Sequence, residues 1–435
     1  MTRVLFFGDA AATGFGSVTR DLGRALLARG LDVRFVSQND LPAGLEEPFL
    51  SRTVDLASII NTPDGAIGLR DFIPDLLAGN AEVALADGSG WERWKPDAAI
   101  LLGDFAAARH FARPYLQAFA SLPTFHYVPV EGIDLPPAWA DLWRTLTPVA
   151  MSAFGQQEIA KVTGTLPPLA YHGVDTDAFY PVSATRPIVI EDGGTRDVLI
   201  SREACKAWLG INPKARVILR TDRNMPRKRY PSLLRSLSPV LADRPDAALV
   251  IHCAAWDQGG NLHDSISKLP LSVQQRVRVT DQRGLPRSVL AALYNAADLY
   301  VSTSAEGFGL TIAEALACGV PAVGLDYSAV PEVIGPAGVV VAPAYLYDNE
   351  YDHYWAAPDE DAFGAAVGYL LDHPSKRRML GAVGPTHVAR NFRWDACGEV
   401  FERAILEALQ GRTMERRTPP PESEDFVFTP AEVAA

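Results

Sequence analysis

The feature that most constrains this chain is a rhythm carried twice along its length: a short apolar run, a glycine-containing loop, then a helical stretch. Residues 4–7 are apolar and break at Gly8-Asp9 and the loop Thr13-Gly14-Phe15-Gly16. From Ser17 to Arg29, Val18, Leu22, Ala25 and Leu26 share one helical face, and Gly30 marks the stop. Residues 33–37, 98–102, 124–128 and 146–152 read as the following strands. A second series begins after His172-Gly173-Val174-Asp175, with strands expected at 217–220, 248–253, 277–280, 299–302, 322–325 and 338–341. Helices near 231–242, 286–296 and 310–318 fall between them. Runs apolar on both faces that alternate with helices imply a parallel sheet covered on both sides. The expected class is therefore α/β, with two Rossmann-like, doubly wound parallel-sheet domains facing a central cleft. At 435 residues and 48% hydrophobic content, the chain has the length and apolar mass for two cores. We place the first domain at 1–178, the second at 179–393, and a disordered, charged and proline-rich tail at 412–435.

Charge and cysteine usage narrow the function. The net charge is −12, and residues 1–180 hold 13 Lys+Arg against 21 Asp+Glu. A nucleic-acid partner is not expected, and an anionic membrane surface is disfavoured. Cys205, Cys253, Cys318 and Cys397 lie far apart, without a CxxC or zinc spacing, and read as reduced, buried thiols. The start of the chain lacks a signal-peptide apolar region, and no apolar stretch approaches the ~20 residues that span a bilayer. A cytoplasmic location is expected. Asp175-Thr176-Asp177 has the D-x-D form of a metal site but reads as a turn and cap, and Asp359-Glu360-Asp361 as a helix start. No metal and no cofactor are expected.

The chemistry concentrates in residues 299–335. A strand ends near Ser302, a loop carries Glu306-Gly307-Phe308-Gly309, and a helix opens at Leu310 and Thr311. Free N–H groups at such a helix start, with glycines that permit close approach, make a seat for phosphate. Glu306 lies in the loop and Glu314 about one turn into the helix. Carboxylates beside a phosphate seat suit hydroxyl groups, as of a sugar and a ribose. A second loop, Arg223-Asn224-Met225-Pro226-Arg227-Lys228, precedes the helix opened by Pro231. Fixed cations there can neutralise a departing diphosphate. Arg227 and Arg229 crowd the same loop, which leaves the choice of the paired cation open. Glu332 reads either as a residue shaping the pocket or as an ordinary first-turn glutamate.

Glu306, seven residues, then Glu314, set in EGFGLTIAEALACGVPAV, resembles the signature of retaining glycosyltransferases of the GT-B fold, family 4 type (glycosyl transferases group 1). The resemblance implies that Glu306 contacts donor-sugar hydroxyls and Glu314 the nucleotide ribose. It implies that the backbone of Gly307, Phe308, Gly309, Leu310 and Thr311 holds the diphosphate and sugar, with Arg223 and Lys228 as its cations. Gly14 and Gly16 are similar to the family's glycine loop near the donor phosphate, and His126 to its active-site histidine. The segment after His126, Val128-Pro129-Val130-Glu131-Gly132, departs from the simplest form of that motif. Residues 394–411 resemble the last helix of the fold, which crosses back onto the first domain. The implied function is a retaining, metal-independent transfer of a sugar from a nucleotide-diphosphate-sugar donor to a hydroxyl acceptor. That acceptor, a glycan, small molecule, lipid or protein, is not identified. A nucleotide-sugar epimerase, a glycan phosphorylase or an inactive nucleotide-sugar-binding module remain the alternatives on the same fold. The aromatic residues Tyr345, Tyr347, Tyr351, Tyr354 and Trp355 are expected to pack on their own domain, with stacking on an acceptor sugar as the other use.

Overall fold

A computed structural model of the protein describes residues 1–9, 13–37, 45–55, 65–81, 83–85, 87, 90–91, 94–192, 194–282, 284–349 and 351–411. The tail at 412–435 lies outside the described residues. The first sheet contains β1 (Arg3–Gly8), β2 (Asp32–Ser37), β3 (Thr53–Asp55), β4 (Ala98–Leu102), β5 (Thr124–Val128) and β6 (Thr147–Ala150). They lie parallel in the order β3-β2-β1-β4-β5-β6. Central β4 is buried at every position, as a strand covered by helices on both faces must be. A hairpin of β7 (Ile188–Asp192) and β8 (Thr195–Leu199) follows the domain junction.

The second sheet contains β9 (Arg216–Arg220), β10 (Ala247–Ile251), β11 (Val277–Val279), β12 (Leu299–Val301), β13 (Ala322–Leu325) and β14 (Gly338–Val341). Its order, β11-β10-β9-β12-β13-β14, repeats that of the first sheet, again with parallel neighbours. A second hairpin, β15 (Pro343–Asp348) and β16 (Tyr354–Pro358), leaves the domain after β14. In each sheet the winding reverses beside the first strand, between β1 and β4 and between β9 and β12. Crevices at such reversals, beyond the carboxyl ends of the strands, are where doubly wound sheets bind ligands.

The helices that frame the cleft are α1 (Gly14–Ala28), α2 (Ala153–Thr163), α3 (Tyr230–Ala242), α4 (Arg287–Ala296), α5 (Leu310–Ala317), α6 (Val330–Ile334) and α7 (Trp394–Leu409). Helix α1 starts three residues before the expected Ser17 because the Thr13 hydroxyl oxygen caps it, accepting the Gly16 N–H at 2.9 Å. Gly14 and Gly16 therefore sit in the first helical turn, not in a preceding loop. Helix α7 lies on the first domain: Arg29 pairs with Glu402 at 2.5 Å, and Phe401 meets Tyr127 edge-on at 5.1 Å. Among the described residues no helix is long and apolar enough to cross a membrane, and the four cysteines are free and buried.

Candidate active site

The two loops singled out in the second domain leave adjacent strands, β9 and β12, on either side of its reversal point. The loop after β12 turns through Gly309, whose φ of +99° is left-handed and suits glycine alone among ordinary residues. This turn delivers the chain into α5. The backbone N–H groups of Phe308, Gly309, Leu310 and Thr311 find no acceptor among the described residues. They form a row of unpaired donors at a helix start, the arrangement that favours an anion. Gly307 lies against the other domain: a Cβ there would come within 2.4 Å of Pro129 Cβ and 2.8 Å of its Cα. Phe308 turns its ring into the junction, 5.0 Å from His172 and 5.2 Å from Phe392, and so anchors the loop.

Beside this helix start runs a chain of six charges. Arg220 pairs with Asp222 at 2.6 Å, and Asp222 accepts from Lys228 Nζ at 2.9 Å. The same ammonium donates to Glu306 at 2.5 Å. Arg227 reaches Glu306 at 3.4 Å and, across the cleft, Glu131 of the first domain at 3.3 Å. Three cations thus alternate with three carboxylates, and Arg220, Asp222, Lys228 and Glu306 are all buried. Burial alone would raise the Asp222 carboxyl, but Arg220 and Lys228 hold it well below the usual range. Burial raises the Glu131 carboxyl, with Arg227 pulling the other way. The Thr311 hydroxyl lies 3.5 Å from Asp222, which ties the cation loop to the first turn of α5. Ser304 donates to Glu306 at 2.5 Å and fixes the carboxylate from its own loop.

The structure brings together Lys228, Glu306 and the 307–311 backbone, but not Arg223. Half exposed, Arg223 turns to Asp257 at 2.9 and 3.1 Å. Arg227 is the arginine beside Lys228. Glu314 is buried one turn into α5 and accepts the Tyr294 hydroxyl at 2.7 Å. Burial pushes its carboxyl up to about 7, against the pull of that hydroxyl and of Arg287. His126 ends inside the first domain with both ring nitrogens engaged. Nε2 faces the Gly103 carbonyl at 3.1 Å, and Nδ1 accepts the Trp143 N–H at 3.1 Å. Burial lowers its pKa to about 4, so at neutral pH the ring is uncharged and braces the loop after β4. Asp175 accepts the Asp177 and Ala178 N–H groups at 3.1 and 3.2 Å, and Asp359 caps the helix that follows it. Among the described residues no three His, Cys, Asp or Glu side chains assemble as a metal set.

Several residues at the cleft were not singled out from sequence. Asp222, Glu131 and Arg287 carry no periodic signal, because their partners come from other parts of the chain. Arg287 on α4 holds Asp21 of α1 at 2.6 Å and Asp175 of the junction at 2.6 Å. Glu332 on α6 does something neither sequence reading anticipated. It caps α2 of the opposite domain, accepting the Ala153 N–H at 3.0 Å, the Phe154 N–H at 3.1 Å and the Tyr171 hydroxyl at 2.6 Å. Glu332→Ala leaves three donors without that partner and is expected to weaken the domain contact by about 1–3 kcal/mol. Hydrogen exchange at Ala153 and Phe154 should then accelerate; unchanged exchange would show that the contact does not hold the domains.

Comparison with known proteins gives this geometry its context. Residues 215–373 match the family described as Glycosyl transferases group 1. A mannosyltransferase of Corynebacterium glutamicum, named as GDP-mannose-dependent and acting on monoacylated α-(1-6)-phosphatidylinositol monomannoside, is 29% identical over 207 residues. That match covers 46% of this chain and 49% of the relative. A D-inositol 3-phosphate glycosyltransferase of Kineococcus radiotolerans is 31% identical over half of each chain. This chain thus spans about half the length of these curated relatives. Among solved structures, sucrose-phosphate synthase from Thermosynechococcus elongatus superposes with a TM-score of 0.68 at 17% identity, covering 94% of this chain and 100% of the other. The Anabaena protein HepE in complex with UDP-glucose gives a TM-score of 0.64 at 16% identity, with 94% and 100% covered. Residues 215–373 are thus similar to the glycosyl transferases of group 1, and the fold of the whole is the GT-B architecture.

Proposed function

We propose that the protein moves a sugar from a nucleotide-diphosphate-sugar donor to a hydroxyl acceptor, with retention of configuration and without an essential metal. One observation carries the reading. The unpaired N–H row of 308–311 opens beside Lys228, which is itself bonded to Glu306. A diphosphate at that row gains the helix-start donors and the ammonium together, and charge that grows on the leaving group is met without reorganisation. Arg227 stands next in line, so the cations here supply the role that a divalent ion fills in other designs. Glu306 receives the donor-sugar hydroxyls and Glu314, eight residues on, those of the ribose. The acceptor oxygen approaches the face from which the diphosphate departs. Its C–O bond forms as the sugar–phosphate bond breaks, and a phosphate oxygen takes the hydroxyl proton. Domain contacts such as that of Glu332 with α2 limit water at the reacting carbon. A reducing compartment suits the four buried thiols.

The curated relative is named for GDP-mannose and the structural neighbour holds UDP-glucose, so both donors enter the test. A saturating donor is expected to raise the melting temperature, since ligand at ~100 times its Kd adds ~2.7 kcal/mol. Product NMR then reads the anomeric configuration, and a chelator should leave the rate unchanged. Failure of every nucleotide-sugar to stabilise the protein would overturn the reading, and an inverted product would remove the retaining mechanism.

A further inference from the structure

We infer that the hairpin β15–β16 is an acceptor subsite, a seat for an uncharged pyranose ring beside the transferred sugar. The inference rests on the transferase reading above and adds the chemical class of the acceptor.

Register places the rings. Tyr345 pairs with Ala357 and Tyr347 with Trp355, so these side chains share one face of the ribbon. Tyr351 and His353 join the same cluster: Trp355 lies 6.3 Å from Tyr347, 6.2 Å from Tyr351 and 5.9 Å from His353. The rings of Tyr345, Tyr347, Tyr351 and Trp355 pack on one another within the ribbon, while its backbone and His353 reach the other domain. Tyr354 exchanges backbone hydrogen bonds with Ile133, at 3.1 and 3.3 Å, and His353 meets Trp139 edge-on at 5.4 Å. Near the turn end of the hairpin the Arg229 guanidinium lies 4.9 Å from the Tyr347 ring. Arg229 follows Lys228, and Ile133 lies two residues after Glu131. Arg227 and Glu131 pair across the cleft at 3.3 Å, so the ribbon joins the two domains through residues next in sequence to that pair. On the transferase reading, this sets the ribbon beside the proposed donor site.

The chemistry of the ribbon selects the ligand. Tyr345 and Tyr351 are 57% and 39% exposed, which leaves ring faces for the C–H side of a pyranose. Two buried donors in the same ribbon, Asn349 Nδ2 and Trp355 Nε1, have no hydrogen-bond acceptor among the described residues, and hydroxyl oxygens accept from such groups. Residues 343–358 contain Asp348, Glu350 and Asp352 and neither Lys nor Arg. A phosphate on the acceptor would meet like charge along the ribbon, and the one guanidinium described against it, that of Arg229, already lies over the Tyr347 ring, so a neutral sugar fits better than a phosphorylated one.

The test uses the full chain and four neutral probes: methyl α-mannopyranoside, methyl α-glucopyranoside, maltose and α-1,6-mannobiose. Saturation-transfer NMR, with and without added GDP or UDP, is expected to reach the ring protons of at least one. Tyr351→Ala and Tyr345→Ala, at exposed positions, should each reduce that transfer at least fivefold while nucleotide affinity by calorimetry stays within twofold. Absence of transfer to all four probes, or equal transfer in both variants, overturns the subsite. The two readings separate cleanly. Nucleotide binding without glycoside binding removes only the subsite, whereas failure to bind any nucleotide removes the donor reading, and the glycoside signal is a result in either case.

Discussion

Lys228→Met is expected to reduce sugar transfer by roughly 10²–10³-fold and to cost about 3–5 kcal/mol of stability. Both effects have one origin. The Lys228 ammonium is 6% exposed and holds Asp222 at 2.9 Å and Glu306 at 2.5 Å. Methionine fills much of the same volume, so the loss is one of charge and hydrogen bonds more than of packing. Removing one member of a buried ionic set leaves the others uncompensated, which costs far more than the set itself contributes. Here two carboxylates lose their shared partner. Arg220 still holds Asp222, and Arg227 still reaches Glu306, so the lower end of the stability range is the closer expectation. Turnover at saturating donor measures the first effect, and urea unfolding of the variant the second. A destabilisation under ~1 kcal/mol with turnover intact would show that neither the charge chain nor the proposed stabilisation of a leaving diphosphate depends on Lys228. Arg223→Met provides the contrast. Its half-exposed guanidinium pairs with Asp257 outside the charge chain, and its loss strands one carboxylate, which keeps the Gln258 N–H, so it should cost less stability than that of Lys228 and leave transfer intact.

The contrast between Lys228 and Arg223 marks how far the sequence could be read. Strands such as β4, apolar at all five positions, declare themselves because a doubly covered parallel strand tolerates nothing else. The loop of Glu306 to Thr311 was legible for a related reason: glycines, a helix start and two spaced glutamates are local features. Arg223 against Arg227 was not a local question. Which arginine stands beside Lys228 depends on the turn at 256–261, where Asp257 draws Arg223 away. Glu332 and Ala153 are 179 residues apart, and Arg287 and Asp21 are 266 apart. Single polar side chains carry no periodicity that could announce such pairs. The three-residue β3 was missed because it is too short to establish a period. The hairpin β15–β16 carries a local signal of its own. Tyr345 and Tyr347 alternate with Ala344 and Leu346, and Asn349 follows as a turn residue, which is the pattern of a ribbon with one aromatic face.

Glu314 is the position where function and stability are expected to oppose each other most openly. Its ordinary pKa of 4.5 is pushed up to about 7, chiefly by burial. Below pH 4.5 the group is protonated in both folded and unfolded chains, and it contributes no pH dependence. Between 4.5 and about 7 the unfolded chain releases a proton that the folded one retains, so stability falls as pH rises. Above 7 the carboxylate is ionised in both states, and the penalty is complete and constant. The interval corresponds to ~3 kcal/mol, at ~1.4 kcal/mol for each tenfold change in proton affinity. Glu314→Gln keeps an oxygen for the Tyr294 hydroxyl and removes the charge. The variant should therefore match its parent near pH 4.5 and exceed it by up to ~3 kcal/mol at pH 8. Subtracting the two stability profiles cancels the other titrating groups. The same variant should bind the nucleotide-sugar about 10–100-fold more weakly at pH 8, because a hydrogen bond between a hydroxyl and a charged oxygen is worth ~1.5–3 kcal/mol. Below pH 7 the parent carboxyl is itself protonated, and the affinity gap should close. A stability difference that does not change with pH would mean that Glu314 ionises freely in the folded protein. An affinity gap that persists at pH 5.5 would mean that the ribose is held elsewhere.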